Sequence, residues 1–257
     1  MATTKVTSSV LADDAVATAA IADDAVTTAK ISDDAVTAAK IADGAIDAAA
    51  KLGTGVVTSA AILDGTIALG DLAAALSMRV LLDTQTASAS ASLDFTTGID
   101  STYDRYELEI VDLVPATDAV SLYLRVSTDG GSTYESGASD YDWAHYRVGA
   151  GVATASSGGE YGNGNAFIRP SSSGSYGLGN AATDAAYNSL IRFTSPDDAA
   201  RAQQFQYDVV YGGADGNTRR LMGSGMYRAS TAVNGLRLLM SSGNIASGYA
   251  KLYGVRL

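Results

Sequence analysis

Ile21-Ala-Asp-Asp-Ala-Val-Thr-Thr-Ala-Lys30, followed at once by Ile31-Ser-Asp-Asp-Ala-Val-Thr-Ala-Ala-Lys40, is one decad read twice. Its large aliphatic residues stand five apart, and the spacing continues on both sides. Val6, Leu11, Val16, Ile21, Val26, Ile31, Val36, Ile41 and Ile46 form one ladder; after a one-residue slip it resumes as Leu52, Val57, Ile62, Ile67 and Leu72. Five residues advance an α-helix by about 500°, so successive ladder residues rotate by roughly 140° and make no single stripe. Five is also odd, so on a continuous strand the ladder would alternate between faces. A turn must therefore recur. Asp-Asp pairs at 13–14, 23–24 and 33–34 give way in register to Asp43-Gly44 and Asp64-Gly65, which points to a turn position near the left-handed region. Ala-Val-Thr-Thr then reads as a short extended piece. A rival reading makes each Asp an N-cap and each decad a short helical turn. Both stay open.

A short strict repeat cannot bury its apolar row within one chain; it must stack on copies of itself. Ala, Thr and Ser fill most other positions, so the rest of the core has to come from other chains to offset the ordering entropy. The expected state is a homotrimeric stalk over residues 11–76, with Leu11 to Leu72 of the ladder around a common axis. Residues 1–10 are expected to dock to a larger particle, because the repeats begin almost at once.

Composition removes several function classes. The 257 residues contain no cysteine, so no disulfide, thiolate metal site or thiol chemistry is available. No apolar run approaches the roughly 20 residues that span a bilayer, and Met1-Ala-Thr-Thr-Lys5 lacks the pattern of a signal peptide. Synthesis in a cytoplasm and no membrane insertion are expected. Net charge is −11, unevenly spread: residues 1–76 carry 10 acids and 4 bases, 77–200 carry 16 and 6, and 201–257 carry 2 and 7. The acidity argues against nucleic acid, whose affinity rests on phosphate neutralisation. The basic tail, with its Arg scattered through strands, reads as a solvated or interchain-paired face.

Beyond residue 77 the ladder ends and Tyr and Arg become frequent. The chain becomes short β-segments between turn signals. Tyr106-Glu-Leu-Glu-Ile-Val111 and Ser121-Leu-Tyr-Leu-Arg-Val126 alternate. Further candidates are 79–83, 92–95, 143–148, 166–169, 189–194, 204–211, 219–227, 236–241 and 250–256. The expected fold is mainly β: a fibrous repeat stalk, then an antiparallel β-sandwich of jelly-roll type over residues 77–257.

The decads resemble the stalk repeats of tailed-bacteriophage fibres. The close, Asn234-Gly-Leu-Arg-Leu-Leu-Met-Ser-Ser-Gly-Asn-Ile-Ala-Ser-Gly-Tyr-Ala-Lys-Leu-Tyr-Gly-Val-Arg256, resembles the last hairpin of jelly-roll tips in phage virion proteins. The resemblance is architectural and covers about a third of the chain. It implies a trimeric virion appendage, on tail, neck or head, that attaches to other virion proteins and often binds host-surface polysaccharide. It brings no shared catalytic set and no cofactor. The alternative within the same resemblance is a structural head-decoration fibre or cement protein without a specific ligand.

Ser127-Thr-Asp129-Gly-Gly131-Ser-Thr133-Tyr134 fits an Asp-box, whose Asp accepts backbone N–H bonds across a glycine-permitted hairpin turn. Tyr141, Trp143 and His145 alternate and should share a strand face. They suit either sugar stacking or, more simply, a core anchored on Trp143. His145 is the only histidine, and no nucleophile elbow accompanies it, so neither a triad nor a zinc site is expected. Asp140, Asp142 and Glu160 supply carboxylates, but sequence spacing does not give their geometry, and an enzyme is not expected. Residues 149–165 and 171–180 read as Gly/Ser/Asn/Tyr loops suited to binding, with Tyr161, Asn163 and Tyr176 as contact residues.

Overall fold

The computed structural model describes residues 26–32, 35–37, 79–151 and 156–256. The chain divides into two units, Met1–Leu72 and Ala73–Leu257. In the first unit, the amide of Lys30 bonds the carbonyl of Thr27 at 2.9 Å, and that of Ala35 bonds Ser32 at 3.0 Å. Two i→i+3 turns thus recur five residues apart. Thr28–Lys30 is a 3-10 turn, so the Thr of the expected extended piece belongs to a turn instead. Within a single chain Val26, Ile31 and Val36 are 57%, 43% and 55% exposed. The remaining ladder residues and the docking segment 1–10 lie outside the described residues.

The second unit is mainly β. Its strands are β1 (Arg79–Thr86), β2 (Ser92–Phe95), β3 (Arg105–Pro115), β4 (Leu122–Ser127), β5 (Tyr141–Ala150), β6 (Ser156–Asn165), β7 (Tyr187–Thr194), β8 (Gln203–Gly212), β9 (Thr218–Tyr227), β10 (Gly235–Met240) and β11 (Ile245–Val255). An eight-stranded sheet has the order β1-β11-β3-β7-β8-β9-β5-β6, and a three-stranded sheet has the order β2-β10-β4. Every pairing is antiparallel. The two sheets share one apolar core, an arrangement consistent with a β-sandwich. No helix among the described residues is long and apolar enough to cross a membrane.

Period-two alternation builds the core. Tyr106, Leu108 and Ile110 of β3, Phe205, Tyr207 and Val209 of β8, and Leu122, Leu124 and Val126 of β4 are all buried. Each such side chain stabilises the fold by about 1.5–3 kcal/mol relative to exposure. The Tyr106 hydroxyl donates to the carbonyl of Asp100 at 2.7 Å and accepts from its amide at 3.0 Å, pinning the chain where it enters β3.

Two sequence expectations need correction. Residues 156–165, read as loop, form the edge strand β6. Residues 166–169, read as a strand, make only one bridge, in which Ile168 and Leu124 exchange amide bonds of 2.9 and 2.8 Å. The glycines of β6 explain the first. Gly162 lies opposite Trp143, and a Cβ there would fall 2.5 Å from the indole, so only glycine lets the ring lie across the strand. Gly164, at φ +67°, is passed over where the β5–β6 register shifts.

Candidate ligand-binding face

One face of the eight-stranded sheet lines the core; the other carries the candidate site. Strand register defines its rows. Glu107 pairs with Arg192, Arg192 with Gln206, Gln206 with Ser224, Ser224 with Ala144, and Ala144 with Tyr161. Beside this row run Arg105 opposite Thr194, Gln204 opposite Met226, and Asp142 between Met226 and Asn163. From Arg105 and Arg192 at one end to Ala144 and Asp142 at the other, these two rows line a groove of about 640 Å³ running across the strands, with Tyr161 just beyond it. From Arg192 on β7 to Tyr161 on β6 is four strand steps, or roughly 19 Å at the usual spacing.

Next to the groove on the β6 side is a shallow depression bounded by Tyr146, Tyr161 and Met222. Tyr161 is 80% exposed, Tyr146 51% and Met222 52%, with Val148 and Val210 exposed nearby. Single exposed apolar residues are ordinary, but a contiguous set on one sheet face marks a contact surface. Between Arg105 and Arg192 at one end and Asp142 at the other, the groove floor is uncharged and hydrogen-bonding: Gln204, Gln206, Ser224 and Thr194 offer amides and hydroxyls. Rings beside amides and hydroxyls can cover the C–H face of a sugar and take its hydroxyls.

The sequence-derived candidates fall in three places. Tyr161 and Asn163 stand on this outer face. Tyr141 and Trp143 share a face with His145, as alternation requires, but it is the inward one, and all three are buried. The Tyr141 hydroxyl accepts from the amide of Val126 at 2.9 Å and donates to the carbonyl of Glu135 at 3.1 Å; burial pushes its pKa well up. Tyr176 ends a 3-10 turn, with the guanidinium of Arg147 3.9 Å from its ring centre and that of Arg219 at 5.0 Å. Tyr176 therefore covers buried cations and does not meet Tyr161.

Beneath it lies a charged cluster. Glu160 accepts from Arg169 at 2.7 Å and from Arg147 at 3.2 Å. His145 Nε2 is 3.8 Å away, beyond hydrogen-bond length, and has no other partner. Burial alone would raise the Glu160 pKa, but the pull of His145, Ser172 and Arg169 prevails and holds it down at about 2. Arg219, 1% exposed, pairs with Asp215. His145 stacks on Trp143 and meets the Tyr207 hydroxyl at 3.3 Å through Nδ1. These contacts fasten the glycine-rich edge strand to β5 and to the 166–180 connection.

The three carboxylates considered for hydrolysis do not converge. Glu160 points inward, whereas Asp142 lies on the outer face, accepting from the Gly164 amide at 2.8 Å and facing Arg228 at 3.6 Å. Asp140 closes a local turn on the amide of Gly137 at 2.5 Å. Among the described residues no three His, Cys, Asp or Glu side chains are grouped to hold a metal ion. The Asp-box is a turn: Asp129 accepts from the amide and hydroxyl of Thr133 at 2.9 and 2.7 Å. It joins strands of different sheets, β4 and β5, so it is not the hairpin expected between paired strands.

Arg105, Arg192, Gln204, Gln206, Ser224 and Met226 carry no signal of their own in the sequence, whereas alternation from Tyr141 puts Tyr146 on the outer face with Asp142. Alternation alone would have placed them on the polar faces of their strands, but the strand order β3-β7-β8-β9-β5-β6 is what sets them side by side. No known protein family, curated protein or solved structure matches the chain.

Proposed function

We propose that the chain is a homotrimeric phage virion appendage, a tail or neck fibre, whose C-terminal β-domain binds a host-surface glycan across the outer face of its eight-stranded sheet. The observation that carries this reading is the exposed pair Tyr146 and Tyr161 beside a groove floored with amides and hydroxyls. The stalk part is supported by the five-residue ladder, whose Val26, Ile31 and Val36 stay exposed in a single chain and call for neighbouring copies. The jelly-roll likeness of the tip is part of the same proposal: β1 pairs with the last strand β11, and β2 with β10, so the first and last strands of this domain lie together.

The apolar members Val148, Val210 and Met222 favour a second reading, in which the same face packs against a neighbouring virion protein as structural decoration. One experiment separates the two. The full chain should sediment with the mass of three copies, and a single-chain mass would remove the stalk proposal. In the trimer, Tyr146→Ala together with Tyr161→Ala should abolish adsorption to cells, since aromatic anchors are worth roughly 2 kcal/mol or more each, about 30-fold in affinity per ring. Incorporation into particles should stay intact. Lost incorporation with normal adsorption would instead establish the decoration reading.

A further inference from the structure

The groove's two ends differ in charge. Three guanidiniums, from β1, β3 and β7, surround Glu107: Arg79 Nε at 2.9 Å, and Arg105 Nη2 and Arg192 Nε each at 3.4 Å. Arg79 also reaches Glu109 at 3.5 Å. Three cations thus face two carboxylates, leaving one positive charge in excess. Arg105 and Arg192 are the members that line the groove. The Arg105 and Arg192 side chains are 34% and 41% exposed, so each keeps part of its guanidinium open to a ligand in the groove. At the β5–β6 end Asp142 faces Arg228, and the floor between the ends is uncharged.

Resting on the glycan-binding reading above, we propose that the groove selects a carboxylate-bearing glycan, such as a polymer containing uronic acid. Its carboxylate docks on Arg105 and Arg192, while a sugar ring about four strand spacings away, roughly 19 Å, stacks on Tyr161. The planar guanidinium fork matches a carboxylate in two parallel N–H···O bonds. The amides of Gln204 and Gln206 and the hydroxyl of Ser224 take the hydroxyls of the intervening sugars. The chain as a whole is acidic, at −11, so the selection is local: it depends on the arginine end of this face and not on the protein's overall field.

The test is a glycan array carrying carboxylated, sulfated and neutral polysaccharides, each carboxylated member paired with its carboxyl-reduced form. It is probed with the full-length wild-type protein, with Arg192→Gln and with Arg192→Lys. Binding is expected on carboxylated members and not on their reduced forms. It should weaken roughly tenfold in Arg192→Gln, as expected for loss of one charge-assisted contact, and should be partly restored in Arg192→Lys. Arg192 is half-exposed and Glu107 keeps its other two arginines, so the variants should melt as the wild type does. Binding confined to neutral or sulfated members, or unchanged in Arg192→Gln, overturns the carboxylate inference while leaving glycan binding standing. No binding to any member, with normal adsorption of the double Tyr146 and Tyr161 variant to cells, overturns both.

Discussion

Trp143→Ala is expected to lose about 3–5 kcal/mol of stability, by the usual cost of emptying a large buried aromatic site. The ring is 5% exposed, lies over Gly162, stacks on His145 with centroids 5.4 Å apart, and has the guanidinium of Arg169 4.4 Å from its centre. Truncation empties the space that glycine was placed to leave, and β6 loses its packing against β5. The indole Nε1 has no hydrogen-bond partner, so Trp143→Phe forfeits volume but no hydrogen bond and should cost much less. Trp143 is the only tryptophan, so the variant has no tryptophan fluorescence and denaturation is best followed by circular dichroism. A loss under about 1 kcal/mol in Trp143→Ala would mean that the ring is not a core anchor.

Glu160→Gln should have the second large effect. It removes the carboxylate shared by Arg169, Arg147 and His145 and leaves buried cations uncompensated. Breaking such a pair costs 3–5 kcal/mol when fully buried; with 19% of this side chain exposed, about 2–3 kcal/mol is expected at neutral pH. The pH dependence has a fixed sign. The folded-state pKa, about 2, lies below the ordinary 4.5, so the carboxylate's contribution is complete above 4.5 and disappears as pH falls toward 2. The gap between wild type and Glu160→Gln should therefore narrow across that window. A gap that stays constant from pH 7 to pH 2 would show that the ionised carboxylate is not what the cluster uses.

Alternation made most strands of the tip readable. Tyr106-Glu-Leu-Glu-Ile-Val111 announces β3, and Arg219–Tyr227 coincides closely with β9, because in each a buried residue follows an outward one. The edge strand β6 was hidden because its inward positions up to the register shift are Ser156, Gly158, Glu160 and Gly162. Their job is to leave room for Trp143 and Arg147, so the apolar signal sits on the partner strand and not on β6 itself. Tyr161 and Asn163 stand out by residue type, and both lie on the exposed face. Tyr176 stands out on the same grounds, but long-range packing sets it over Arg147 and Arg219. The groove was not legible at all: Arg192, Gln206, Ser224 and Ala144 are neighbours only through a strand order in which β5 and β6 follow β9.

The most direct test of the central claim fills the groove without touching its aromatic or charged ends. Ser224 is exposed on β9 midway between Arg192 and Tyr161, and Ser224→Trp would place an indole across the floor. Adsorption of particles carrying this variant to host cells should fall at least tenfold, in line with loss of a central contact, while the trimer's melting temperature stays that of the wild type. Wild-type adsorption by a correctly folded Ser224→Trp trimer would contradict the account, because no ligand could then be lying in the groove.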